Sequence, residues 1–358
     1  MKKEVSMMVG PTAVPERILE SMNRKSISHR SPEYMEMHKR VRESLKKIFN
    51  TENEVYILTS SGTGAMEAVL QNCFSFGDEV IVPTLGVFSE QFASMAEAYQ
   101  LKVVRVNFPL GEAADVDTVL SHVTPNTKGV IVIHNESATG ITNDIESYGK
   151  ALKDTDILLI TDSVSGAVGI EMQMDAWGVD IVLTGSQKAL MVPAGLAFIS
   201  LSEKAWRATE HSNIPKFYFD LNKAKKFQEI NQTPNTPGVY TIMAVDEALK
   251  MIFEEGLEEV QRRHIENRDR IIAGVRELGL DIFPKDEKYA SKTLTAVYAK
   301  GKSKAIVKGL AEKGIIVNGG LAAIAEDVFR VGTMGYVYKE DVDAFLEGLK
   351  EVLEELNS

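Results

Sequence analysis

The sequence of 358 residues contains one cysteine, Cys73. No intramolecular disulfide can form, and a cysteine-based zinc site is excluded. A basic excess is also missing. Forty Lys and Arg face 51 Asp and Glu, a formal net charge of −11, which argues against a nucleic-acid partner. Short basic clusters such as Lys223, Lys225 and Lys226 read as solvated helix faces. No apolar run approaches the ~18–20 residues of a membrane span, so no membrane partner is expected. The first residues, Met1 to Met8, have a positive end but no apolar h-region before Gly10-Pro11, and the expected localisation is cytoplasmic. His38, His122, His134, His211 and His264 are scattered. They suggest no metal site, and His134 reads as a strand-end residue. Internal repeats and low-complexity tracts are absent.

What is present is ordinary for a globular protein: 44% hydrophobic and 25% charged residues. The length makes two domains the natural division. From about Val55 to Ser200, short runs rich in Val and Ile alternate with helical patterns. Examples are Val55–Leu58, Glu79–Val82, Val103–Val106, Val130–Ile133, Ile157–Thr161 and Ile181–Thr184. Such alternation predicts buried parallel strands joined by crossover helices. After Lys204 the pattern gives way to a loop-rich stretch with Pro215, Pro234 and Pro237. A long helical region then runs from about Thr241 to Leu278, interrupted near Glu255-Gly256, and strands and helices alternate irregularly beyond it. The expectation is a large, mostly parallel α/β domain with the N-terminal segment, residues 1–245, and a smaller C-terminal α+β domain, residues 246–358.

Three features of the large domain carry chemistry. Asp162 closes the apolar run Ile157–Thr161, at the strand end where ligands of open α/β sheets bind. Taken alone, it fits an N-cap or turn aspartate as well. Lys188 follows another run in Gly185-Ser186-Gln187-Lys188, with Ala189-Leu190-Met191-Val192 beyond it. Apolar surroundings lower a lysine's proton affinity, which suits imine chemistry, although a lone lysine after a strand is usually a surface group. Ser60-Ser61-Gly62-Thr63-Gly64 opens a helical pattern, and helix starts bind phosphate. No Gly-Lys-Ser/Thr follows, so it is not a nucleotide P-loop. An amine for a Schiff base, a carboxylate for a pyridinium nitrogen and donors for a phosphate are the equipment that pyridoxal 5'-phosphate requires.

In this order the motifs resemble a known family, the class V (fold-type I) aminotransferases, in the serine–pyruvate and alanine–glyoxylate branch. The resemblance runs from Gly10-Pro11-Thr12 through Arg330. Its specific pieces are Ser61 to Ala68, Glu136 to Gly140, Asp162-Ser163-Val164, Trp177 to Asp180 and Thr184 to Lys188. It implies that Lys188 bonds the cofactor and moves the Cα proton in ping-pong transamination, and that Asp162 pairs with the pyridinium. Ser61, Gly62, Thr63 and Gln187 would hold the phosphate. Phe88 would stack on the ring, where the family often has a tryptophan. Val164 would pack on the opposite face, and Ser137 would lie near the ring oxygen. The resemblance also implies that Arg330 binds the substrate carboxylate, with Gly10 contributing a backbone contact. Thr236 would reach the phosphate of a neighbouring subunit, implying a homodimer. His29-Arg30 resembles a family Gly-His-Arg segment, but Ser28 replaces the glycine.

The implied substrates are a small amino acid (alanine, serine or aspartate) and a 2-oxo acid such as glyoxylate or pyruvate. Ureidoglycine or aminophosphonate aminotransferases are alternatives on the same pattern, as is a desulfurase or lyase. A desulfurase needs a mobile cysteine, for which Cys73 is the sole candidate. A non-catalytic cofactor-binding protein is the third class.

Overall fold

The computed structural model describes residues 4–357; Met1 to Lys3, part of the N-terminal stretch considered above, lie outside them. Seven strands form the central sheet, in the order Val55–Leu58, Ala197–Leu201, Ile181–Gly185, Leu158–Asp162, Thr127–Ile133, Glu79–Thr84, Lys102–Asn107. The Ala197–Leu201 strand runs antiparallel to both neighbours, and the other pairs are parallel.

The apolar runs follow from burial on both faces. Val130 and Val132 enter one core and Ile131 and Ile133 the other; Leu159 parts from Leu158 and Ile160 in the same way. Successive side chains of a strand point to opposite sides, so a strand covered on both sides is continuously apolar. Helices Pro32–Phe49 and Val239–Glu255 cover the first face, and helices Gly62–Cys73 and Val87–Ala98 cover the second.

Helix Val239–Glu255 gives way to helix Leu257–Glu277 at Gly256, whose φ of 96° suits a residue without a Cβ. Beyond it, Asp281–Ile282, Leu294–Tyr298, Val328–Gly332 and Asn318–Gly319 make an antiparallel sheet. Phe329 and Val331 from this sheet share a core with Ile271, Ile306, Leu310, Phe345 and Leu349 of its helices.

The N-terminal segment bridges both units. Val5–Ser6 pairs in parallel with Ile315–Ile316, and Gly332 donates its amide to the Met7 carbonyl at 2.7 Å. Met7 is buried in the C-terminal core, but Val9, two residues on, is buried in the large one. Among the described residues no helix is long and apolar enough to cross a membrane.

Candidate active site

The parallel register aligns Ile133 with Asp162 and Asp162 with Leu183. The chain therefore leaves three neighbouring strands at one edge of the sheet. A cleft of about 150 Å³ opens there. Its lining includes Ser61, Gly62, Thr63, Phe88, Ser137, Asp162, Val164, Gln187 and Lys188.

Asp162 is buried, and its Oδ1 accepts the Val164 amide at 2.8 Å. Burial raises its carboxyl to about 7. The Val164 N–H opposes that rise, the Glu136 charge adds to it, and Lys188 opposes it. Burial likewise pulls the Lys188 amine down to about 8, helped by the positive charge of Arg330 and opposed by Asp162. Lys188 Nζ donates to the Val9 carbonyl at 2.8 Å. Beside it Gly10 has φ 135°, and a Cβ there would lie 2.5 Å from Nζ. The N-terminal segment thus roofs the amine, and only glycine fits at that point.

The anion-accepting part is the start of helix Gly62–Cys73. Ser61 is its extended N-cap and makes no side-chain capping bond. The amides of Gly62 and Thr63 fall in the first turn, where helical geometry offers them no acceptor. A Cβ on Gly62 would meet Val164 Cγ2 at 2.6 Å, so the turn and the cleft wall are in close contact. Gln187 adds a buried Oε1 without a hydrogen-bond partner. Phe88, in the first turn of helix Val87–Ala98, is half-buried at the side.

Arg330 comes from the second unit, on strand Val328–Gly332, and is 6% exposed. Its Nε donates to the Gly319 carbonyl at 2.9 Å and its Nη1 to the Ser137 carbonyl at 3.1 Å. It therefore reaches the cleft wall through Ser137. Burial lowers its proton affinity and Glu136 opposes the change.

Several sequence candidates lie elsewhere. Thr236 is exposed and outside the cleft, next to Asn235, whose carbonyl accepts the Thr233 hydroxyl at 2.8 Å. Arg30 donates to Thr233 O at 3.0 Å and to Gln232, and neither Arg30 nor His29 lines the cleft. Cys73, at the far end of its helix, is buried with its thiol pushed up to about 12 by desolvation. His134 does follow a strand end. It is fully buried, with Nδ1 2.9 Å from Ser163 Oγ, and burial lowers it to about 3. Asn135 and Ser165 line the cleft without having been singled out. Asn135 Nδ2 donates to Ser165 Oγ at 2.9 Å and to Thr293 Oγ1 at 3.1 Å. Asn135 stands one residue before the Glu136–Gly140 turn, the only sequence signal that could have found it.

The sequence matches the family described as Aminotransferase class-V over residues 10–345. A protein of Synechococcus sp. (strain PCC 6716) named as the small subunit of a soluble hydrogenase is 37% identical, covering 99% of this chain and 94% of its own. Serine–glyoxylate aminotransferase of Arabidopsis thaliana is 33% identical over 97% of this chain and 89% of its own. The crystal structure of an alanine–glyoxylate aminotransferase from Nostoc sp. superimposes with a TM-score of 0.94 at 28% identity, covering 99% of this chain and 96% of that one. A helix start for an anion, a buried carboxylate and a half-buried amine thus share one cleft in a fold of fold-type I, and the chain belongs to the class V aminotransferases.

Proposed function

We propose that the protein transfers an amino group between a small L-amino acid (alanine, serine or aspartate) and glyoxylate or pyruvate, in a ping-pong cycle dependent on pyridoxal 5'-phosphate. The family implies this cofactor, and the cleft residues fit it. Gly62 and Thr63 amides with the Ser61 hydroxyl suit the phosphate, and a turned Gln187 amide adds a donor. Phe88 and Val164 suit the two faces of a ring, with Ser137 near its oxygen side. Asp162 suits the ring nitrogen. Bound pyridoxal phosphate supplies the carbonyl that takes up the amino group and a ring that spreads the negative charge left at Cα.

Lys188 anchors the cofactor and shuttles the proton at Cα. Burial favours its neutral form, which is the form able to accept that proton. Arg330, already directed at the cleft wall, fixes the substrate carboxylate through its planar fork, beside the backbone of Gly10. Val9 and Gly10 roof the lysine and exclude water from it. We place the protein in a homodimer in which exposed Thr236 serves the phosphate of the second copy, and in the cytoplasm.

The observation that carries this reading is the half-buried Lys188 amine in the same cleft as Asp162 and the Gly62 helix start. Cys73 is distant, buried and protonated, which leaves a desulfurase without its nucleophile. The test is the absorbance spectrum of the purified protein with pyridoxal phosphate. A visible band that bleaches with alanine or serine and returns with glyoxylate or pyruvate establishes the donor and acceptor. A band that responds to no amino acid would refute transamination, and failure of borohydride to fix the cofactor to Lys188 would refute its role.

A further inference from the structure

Glu136 is a fully buried carboxylate whose hydrogen-bond partners are all neutral donors. Its Oε2 accepts the Ser89 amide at 2.9 Å and the Ser89 hydroxyl at 3.1 Å. Its Oε1 accepts the amides of Phe88 at 3.3 Å and Ala138 at 3.2 Å. Burying a carboxylate away from water is costly, and four donors offset that cost. Three of them, the amides of Phe88 and Ser89 and the Ser89 hydroxyl, lie in the first turn of helix Val87–Ala98, where the helix dipole favours an anion.

The same residue also shapes the turn that follows it. Its backbone carbonyl accepts the amides of Thr139 at 3.2 Å and Gly140 at 2.9 Å, closing a tight turn. The Ser137 carbonyl in that turn is the one that receives Arg330 Nη1. The side chain of Glu136 thus holds the loop bearing Phe88, and its main chain holds the acceptor of Arg330. Gly86 leaves room for this: a Cβ there would lie 2.4 Å from Glu136 Cδ.

We propose that Glu136 is a positioning residue that keeps the aromatic ring of Phe88 and the guanidinium of Arg330 in one fixed relation. Cofactor grip and substrate-carboxylate grip are then set together. The proposal rests on the cofactor and substrate roles assigned above. A neutral amide cannot replace the carboxylate, because glutamine has one acceptor oxygen. Its NH₂ would face either the Ser89 donors or the Phe88 and Ala138 amides.

The test compares three variants of the full-length protein loaded with pyridoxal phosphate: Glu136→Gln, Gly86→Ala, which pushes the carboxylate aside without removing it, and Phe88→Leu. The readouts are the cofactor dissociation constant, the visible circular dichroism of the bound cofactor, and KM apart from kcat. Glu136→Gln and Gly86→Ala are expected to weaken cofactor binding and to raise the amino-acid KM, each about tenfold, with altered dichroism. Phe88→Leu is expected to weaken cofactor binding while leaving KM within about twofold. If Glu136→Gln behaves like Phe88→Leu, the link to Arg330 is refuted. A lowered melting temperature with unchanged constants and dichroism in both Glu136→Gln and Gly86→Ala would reduce Glu136 to a structural anchor. Wild-type protein that binds no pyridoxal phosphate would overturn the functional reading and this proposal with it, whereas a normal wild type beside unaltered variants would overturn this proposal alone.

Discussion

The charges in the cleft and the charges on the outer helices are held in opposite ways. On helix Leu257–Glu277, Arg262 pairs with Glu259 and, at 2.6 Å, with Glu266, all well exposed. Near the C-terminus Lys313 meets Glu351 at 2.9 Å and Glu355 at 2.8 Å. In the cleft, Lys188 is held by the Val9 carbonyl, Arg330 by the carbonyls of Gly319 and Ser137, and Asp162 by the Val164 amide. On those outer helices charge answers charge, and in the cleft backbone answers charge. A surface pair is solvated with or without its partner and adds little stability. A buried charge held by backbone dipoles keeps its own charge uncancelled and available to a ligand, at a cost to the empty fold.

The sharpest way to break this comparison is Lys188→Ala, expected to lower transamination at least about a thousandfold. Near-normal turnover would refute the central role of this lysine. Asp162→Asn is expected to cut turnover about a hundredfold or more while stabilising the cofactor-free protein. The sign follows from its proton affinity. Folding raises the carboxyl from its usual 3.8 to about 7, so the stability contributed by its proton is complete below about pH 4 and lost as pH rises through 7. Above pH 7 the variant is expected to gain up to about 4 kcal/mol over wild type, a gain that vanishes near pH 4. Thermal melts at the two pH values check this, and equal melts at both would contradict the buried-anion cost.

Arg330→Lys keeps the charge but loses the planar fork, and an increase of about ten- to a hundredfold in amino-acid KM is expected, with kcat less affected. An unchanged KM would remove Arg330 from the carboxylate site. The uptake of pyridoxal phosphate by cofactor-free protein requires neutral Lys188. Its rate is expected to rise about tenfold per pH unit below 8 and to level off above, since burial brings the amine down to about 8. A rate still climbing to pH 10 would mean an unperturbed lysine. At the small end, Arg262→Ala is expected to move the melting temperature by no more than about 1 °C. A larger loss would erase the contrast between the two sets of charges.

Much of the large domain was legible because both faces of its sheet are covered, which writes each strand as an apolar run. Strand direction leaves no such trace: nothing in Ala197–Leu201 distinguishes an antiparallel strand from its parallel neighbours. The helix start at Gly62 was legible because the small residues Ser60 to Gly64 mark the turn. Of the site, Asp162 and Lys188 stood out because each follows an apolar run. Glu136 was visible within a motif, but no local pattern says that a carboxylate after a strand will be buried under another loop. The two-residue strand Val5–Ser6 is too short to have a periodicity, and its partner lies some 300 residues away. The exposed position of Thr236 likewise depends on tertiary structure that spacing does not encode.

That short strand ties the completion of the site to contacts between distant parts of the chain. Val9, whose carbonyl holds the Lys188 amine, is itself held by the Asn318 side chain at 2.6 Å, next to the pairing of Val5–Ser6 with Ile315–Ile316. Val5 to Val9 can therefore settle only once Ile315 to Asn318 have folded. The seven-stranded sheet supplies the strand ends for the aspartate and the lysine, and the cover over the lysine depends on the C-terminal unit as well. The lysine is therefore covered only when two segments some 300 residues apart have met.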